Sequence, residues 1–171
     1  MTLDRDGELK EFIAENNARL REKDKQTGVE REIEGHKILI DGKNDQLEVS
    51  GRENSASKMV SSEYEITADT IKLSIANNDL EASKNVKLII SSRREDEKIV
   101  GFFSKDQPMF ITAPDMRYSD QDKRFYFYGG IKIWQQKQML LADVFYLYKD
   151  TGKFLGSGGV KTVFPYESKL S

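Results

Sequence analysis

The side chains able to do chemistry are few and poorly grouped. The 171-residue chain has no cysteine and a single histidine, His36, which removes a thiol nucleophile, a disulfide scaffold, a cysteine-based zinc site and any histidine cluster. His36 follows Gly35 and alternates away from Ile38 and Ile40, so it reads as an outward-facing surface residue. Asp69, Asp115 and Asp143 recur at similar points of the chain and would suit a paired-carboxylate hydrolysis of glycosides. The plainer reading is that Asp side chains satisfy backbone N–H groups at bends. Gly156-Ser157-Gly158-Gly159 resembles a phosphate loop only in glycine content, with no Gly-Lys-Thr ending and no helix after it. Arg93, Arg94 and Lys98 could meet lipid phosphates, but Glu95, Asp96 and Glu97 lie between them and neutralise the patch. The chain is therefore read as a non-enzyme, with no catalytic residues, no metal site and no cofactor.

Composition narrows the classes further. The length suits one domain plus a tail. With 37% apolar and 10% aromatic residues a core can form, and 33% charged residues imply a solvated exterior. Lys and Arg total 27 against 29 Asp and Glu, a net charge of -2, so no global field favours nucleic acid or an anionic membrane. No apolar run approaches the ~20 residues of a membrane span. Met1 is followed by Thr2-Leu3-Asp4-Arg5-Asp6 rather than a basic and apolar leader. The expectation is a cytosolic protein or one whose signal or anchor has been trimmed.

Two regions are expected to position these residues: a helical segment or linker over 1–28 and a β domain over 29–171. In the first, Leu9, Phe12, Ile13, Asn16, Asn17 and Leu20 fall at helical spacing, Asp6 can cap the start, and Thr27-Gly28 ends the run. Such a helix would be a frayed end, a linker from a membrane anchor or a cap on a sheet edge. From Val29 onward the period becomes two. Runs such as Lys37-Ile38-Leu39-Ile40, Thr70-Ile71-Lys72-Leu73 and Arg124-Phe125-Tyr126-Phe127 are separated by turn clusters at 41–44, 76–79, 119–122 and 149–152, as in an all-β fold. Pro108, Pro114 and Pro165 are expected at strand ends.

The runs form an internal repeat of four units, starting at the small residues Gly35, Ala68, Ala113 and Ala142. Two before each lies Ile33, Ile66, Ile111 or Leu140; three and five after come Ile38 and Ile40, Ile71 and Leu73, Met116 and Tyr118, Phe145 and Leu147. Twelve and fourteen after come Leu47 and Val49, Leu80 and Ala82, Phe125 and Phe127, Phe154 and Gly156. At seventeen stands Arg52, Asn85, Gly130 or Gly159, and at eighteen Val86, Ile131 or Val160, with Glu53 out of rank. Offsets of minus two and plus three are out of phase for one flat strand, so the chain must bend or bulge at the small residue. Each unit becomes strand, corner, strand, turn, strand, and stacked units share one apolar interior. The later units place Tyr118, Phe125, Phe127, Trp134, Phe145 and Phe154 where the earlier ones have smaller side chains, so the interior is expected to taper. Tyr146 and Tyr148 fall on the outer face and suggest a covered surface.

The segments Asp106-Gln107-Pro108-Met109-Phe110-Ile111-Thr112-Ala113-Pro114, Phe127-Tyr128-Gly129-Gly130-Ile131-Lys132-Ile133 and Gly152-Lys153-Phe154-Leu155-Gly156-Ser157-Gly158-Gly159-Val160 resemble the OstA-like domain of the lipopolysaccharide-transport (Lpt) proteins, of the LptA/LptC-like periplasmic kind. The third and fourth units match closely; the second has Asn85-Val86 where the family has Gly-x-Val, and the first lacks the final Val. The resemblance implies an all-β OstA-like β-jellyroll, a β-taco of stacked antiparallel units, beside the short N-terminal helix. It implies a periplasmic bridge component that holds the acyl chains of lipopolysaccharide or a related envelope lipid and passes them towards the outer membrane. The implied groove lining is Ile38, Ile40, Leu47, Val49, Ile71, Leu73, Leu80, Val86, Met116, Tyr118, Phe125, Phe127, Ile131, Ile133, Phe145, Leu147, Phe154 and Val160. Implied partners are other OstA-like domains, joined edge to edge by β-augmentation through Val160, Thr162 and Phe164 and extending to a head-to-tail homo-oligomer. The signal or anchor would be absent from this chain. The competing expectation is a structural β-roll or interaction module with a closed core and no lipid cargo.

Overall fold

The computed structural model describes residues 1–3, 9–23, 28–91, 103–104 and 107–164. Over these the chain forms one antiparallel sheet of 13 strands: β1 (Thr2–Leu3), β2 (Leu9–Lys23), β3 (Glu30–Asp41), β4 (Gln46–Ser50), β5 (Ser57–Ser61), β6 (Tyr64–Ala68), β7 (Thr70–Ser74), β8 (Leu80–Ile90), β9 (Met109–Ser119), β10 (Arg124–Gln135), β11 (Gln138–Tyr148), β12 (Phe154–Ser157) and β13 (Lys161–Val163). The main path runs β1-β2-β3-β4-β7-β8-β9-β10-β11-β12. A second path diverges from it because the long strands bend and change partners midway. β3 pairs with β5 through Arg31–Glu34 and with β4 through Lys37–Asp41. β8 pairs with β7 before its bend and with β6 after it, and β11 pairs with β13 and then β12. The result is a sheet folded over into two layers along a spine of corners. The OstA-like β-jellyroll expectation holds over these strands.

The expected N-terminal helix does not form. Residues 9–23 are strand β2, paired with β3 from Glu11↔Asp41 to Lys23↔Glu30. Its helical spacing comes from apolar side chains on both faces, Leu9 and Ile13 exposed and Phe12 and Leu20 turned inward; Asn16 and Asn17 take left-handed φ values of 67° and 64° and form a bulge that interrupts the register between Glu15 and Ala18. Phe12 and Ala14 before the bulge and Ala18 and Leu20 after it all turn inward, so β2 keeps its phase, while β3 opposite changes phase from Ile33 to Ile38. Apolar residues on both faces of a strand imitate a 3.6-residue period over so short a window. Consequently β3 is not the first edge of the sheet, and among the described residues no helix covers one. Of the terminal calls, Asp6, Thr27 and Pro165 lie outside the described residues.

The same bulge marks the spine elsewhere. Lys84 and Asn85 (φ 63° and 56°), Gly129 and Gly130 (93° and 92°), and Gly158 and Gly159 (68° and 53°) are consecutive left-handed pairs. Register slips fall at Ser83/Val86 and Tyr128/Ile131, opposite the small-residue corners of the adjacent strands. Pro114 lies inside β9 at such a corner, rather than at a strand end. The small residues are small for want of space: a Cβ on Gly35 would lie 2.3 Å from Val49 Cγ2 and 3.0 Å from Ser50 O. Ala68, Ala113 and Ala142 are all buried. Unit one departs because a tight turn, Arg52–Ser55, is inserted, closed by reciprocal N–H···O bonds of 2.9 and 2.8 Å. The strand resumes at Ser57 and Met59, both 0% exposed, which accounts for Glu53 being out of rank.

Candidate functional site: the apolar interior

Inward-facing positions of both layers meet in one cluster. At the N-terminal end it is aliphatic: Ile33, Ile38, Leu47, Val49, Met59, Ile66, Ile71 and Leu73 are each 0–3% exposed. Towards the C-terminal end it becomes a file of rings. Tyr118 and Phe125 have centroids 4.6 Å apart, Phe125 and Phe127 6.3 Å, Phe127 and Phe145 6.1 Å, and Phe145 and Phe154 5.7 Å. These separations are those of packed aromatic pairs. Burying one such side chain stabilises the fold by roughly 1.5–3 kcal/mol.

Among the residues expected to line a groove, Leu80, Val86, Met116, Ile131, Ile133 and Leu147 are buried with those above, while Ile40 and Phe154 are partly buried against the cluster. Val160 is the exception. It is 49% exposed, because it follows the left-handed Gly158-Gly159 pair at the last edge of the sheet. Trp134 is not interior either: it stacks on Phe110 on the outer face, 5.4 Å between centroids, with Lys132 Nζ 5.4 Å above its ring. Tyr146 also lies outside, stacked on Tyr126 at 4.9 Å and capped by the Arg124 guanidinium at 5.4 Å.

The mouth opposite the spine is closed by contacts between the two layers. Arg31 Nη1 donates to Asn78 Oδ1 at 3.2 Å, Lys149 and Glu63 form an ion pair of 2.7 Å between two turns, and Tyr64 meets Phe125 edge-on at 6.0 Å. Tyr118 lies near this rim and donates from its hydroxyl to Asp120 Oδ1 at 3.0 Å. Burial, then the Asp120 hydrogen bond, pushes its phenol well above the usual range. Sequence reasoning missed these clasps, because their partners lie in turns without periodic spacing.

The polar candidates form no catalytic group. Asp69, Lys84, Asn85, Lys87, Pro114 and Asp115 line an open depression of about 580 Å³ on the outside of the spine. Asp69 Oδ1 accepts from the Asn85 side chain at 3.2 Å. At the corners it is the backbone N–H groups of Asp69 and Asp143 that are satisfied, by Lys84 O at 3.0 Å and Gly158 O at 2.9 Å. His36 is half-buried at the β3 corner. Among the described residues no group of His, Asp and Glu could hold a metal ion, and no helix is long and apolar enough to cross a membrane. Arg93, Arg94 and Lys98 lie outside the described residues.

The fold is a β-taco shared with a solved structure. The chain superposes on the crystal structure of LptH, described as the LptA homologous periplasmic component of the conserved lipopolysaccharide transport device from Pseudomonas aeruginosa. The TM-score is 0.65 over 85% of this chain and 100% of LptH, at 9% sequence identity. No family model and no curated protein sequence matches the chain.

Proposed function

We propose that this protein is a periplasmic bridge component that carries the acyl chains of lipopolysaccharide, or of a related envelope lipid, between its two layers. The observation that carries the reading is a continuous apolar interior running between two sheet ends that themselves expose apolar side chains. Met1, Leu3, Leu9 and Ile13 are 37–83% exposed at the first end; Leu155, Val160, Val163 and Phe164 are 47–60% exposed at the last. Exposed apolar groups gathered at unclosed edges fit strand addition by a like domain. Strand direction fixes how a like domain would add. The path from β2 to β12 alternates through antiparallel pairs, so β2 and β12 run the same way. A second copy added by translation would place its β2 parallel to β12 and β13.

The interior needs no charged grip, since each buried CH₂ contributes ~0.8 kcal/mol. A photo-crosslinker at Phe127, 0% exposed, is expected to capture lipid in cells, and one at the exposed Lys132 is not. Equal capture at both positions would overturn the reading. Mass spectrometry of lipids co-purifying from the native envelope identifies the cargo. For the edge, Thr162→Pro removes an N–H from β13 and, if that N–H faces away from β11, is expected to reduce assembly in light scattering while the β spectrum stays native. The second reading, a closed structural roll without cargo, is favoured by the interior side chains filling their own space at 0–7% exposure. Lipid-free protein from the native envelope would establish it.

A further inference from the structure

Every buried apolar side chain among the described residues comes from a strand except Phe103, which is 3% exposed within the connection from β8 to β9. Its ring lies 5.8 Å from that of Phe154, at the end of the aromatic file that continues through Phe145, 5.7 Å beyond. A buried side chain of the opposite layer holds the backbone that follows Phe103. Gln135, at the end of β10 in the opposite layer and 2% exposed, accepts from Ser104 N–H at 2.5 Å. Its Nε2 donates to Ser104 O at 2.6 Å and Gln107 O at 2.8 Å. A buried glutamine is costly unless its amide is satisfied, and these bonds all go to the one connection. Phe154 belongs to the first layer and Gln135 to the second, so ring and clamp together span the mouth. Elsewhere the mouth is bridged by direct contacts between the layers, whereas here a separate segment fills it. Both amide partners are groups that water can satisfy once the segment leaves, and the ring would vacate a space beside the Phe154 ring.

We propose that the space beside Phe154 is a binding site for one alkyl chain, occupied in this state by the protein's own Phe103 ring, with Gln135 as the clamp that holds the ring in. The proposal rests on the lipid-carrying reading and places the first contact of the cargo at the C-terminal end of the interior. Removing the ring or its clamp should open the site. Phe103→Ala and Gln135→Ala are expected to bind a fluorescent fatty acid at least five-fold more tightly than the wild type while keeping the native β spectrum. In a Trp134→Phe background, Phe103→Trp carries a single tryptophan; its emission is expected to be blue without ligand and to move red as dodecanoic acid saturates the protein. Folded variants that bind no more tightly, or an emission unmoved at saturation, overturn the site. Lipid capture at Phe127 in cells without any response at Phe103 retains the cargo reading and removes the plug. Tighter fatty-acid binding by Phe103→Ala with no capture in cells retains the site and removes the cargo reading.

Discussion

The two halves of the roll reach one backbone by different chemical routes. In the N-terminal half the spine turns on Asn16-Asn17 and Lys84-Asn85, in the C-terminal half on Gly129-Gly130 and Gly158-Gly159, and all four pairs are left-handed. The interiors differ in parallel, aliphatic around Ile38 and Ile71 and aromatic around Phe127 and Phe145. A left-handed conformation costs an ordinary L-residue roughly 1–2 kcal/mol and glycine almost nothing. Asn tolerates that conformation better than other side chains, so the N-terminal half carries the strain chiefly at Lys84, and the C-terminal half avoids it. What the halves share is the two-residue bulge, which keeps its own strand in phase while the adjacent strand exchanges inward and outward faces at its small-residue corner. The device is the geometry, not the glycine.

The sharpest test is the packing of the aromatic half. Phe127→Ala is expected to cost about 3–5 kcal/mol, against about 0.5–1.5 kcal/mol for Ile71→Val, measured by urea denaturation. A Phe127 cost near that of Ile71→Val would show the aromatic half to be loosely filled. Next comes the spine. Gly129→Ala should destabilise by roughly 1–2 kcal/mol through its φ, aggravated by Pro114 Cγ at 3.0 Å from the new Cβ. Lys84→Gly should relieve strain, stabilising by up to ~1 kcal/mol. Similar signs for both would remove the contrast between the halves. The rim is expected to respond to pH. Because the Tyr118 phenol is raised by burial and by Asp120, its contribution is complete below the free-tyrosine pKa of about 10. It is lost as pH rises through the higher folded value. Tyr118→Phe should cost about 1 kcal/mol near neutrality and flatten the alkaline loss of stability in a thermal series above pH about 10. Smallest of all, Lys149→Ala removes a partly exposed pair and should change stability by less than about 1 kcal/mol.

Corners were legible where a side chain had no room. Gly35 sits where a Cβ would strike Val49, so smallness recurs at fixed offsets and the units can be aligned by eye. The first strand was not legible, since the exposed Leu9 and Ile13 complete a helical spacing with the inward Phe12 and Leu20, and their polar neighbours suit a helix equally well. Val160 matched the repeat in type but not in burial, because burial depends on a next strand and β12 and β13 end the sheet. Phe103 left no signal at all: it lies in a connection without periodicity, and its burial is set by Phe154 and Gln135, distant in sequence.

The recurrence of the corner pairs has a consequence for the length of the molecule. Each later unit adds one bent strand pair, such as β9 and β10, whose contacts are with the strands on either side. Adjacent strands lie ~4.8 Å apart, so duplicating residues 109–135 should lengthen the long axis by about 10 Å. The two terminal surfaces and the cross-section would stay as they are. Small-angle scattering would read this as a longer rod of unchanged radius, a protein whose span can be set by counting repeats.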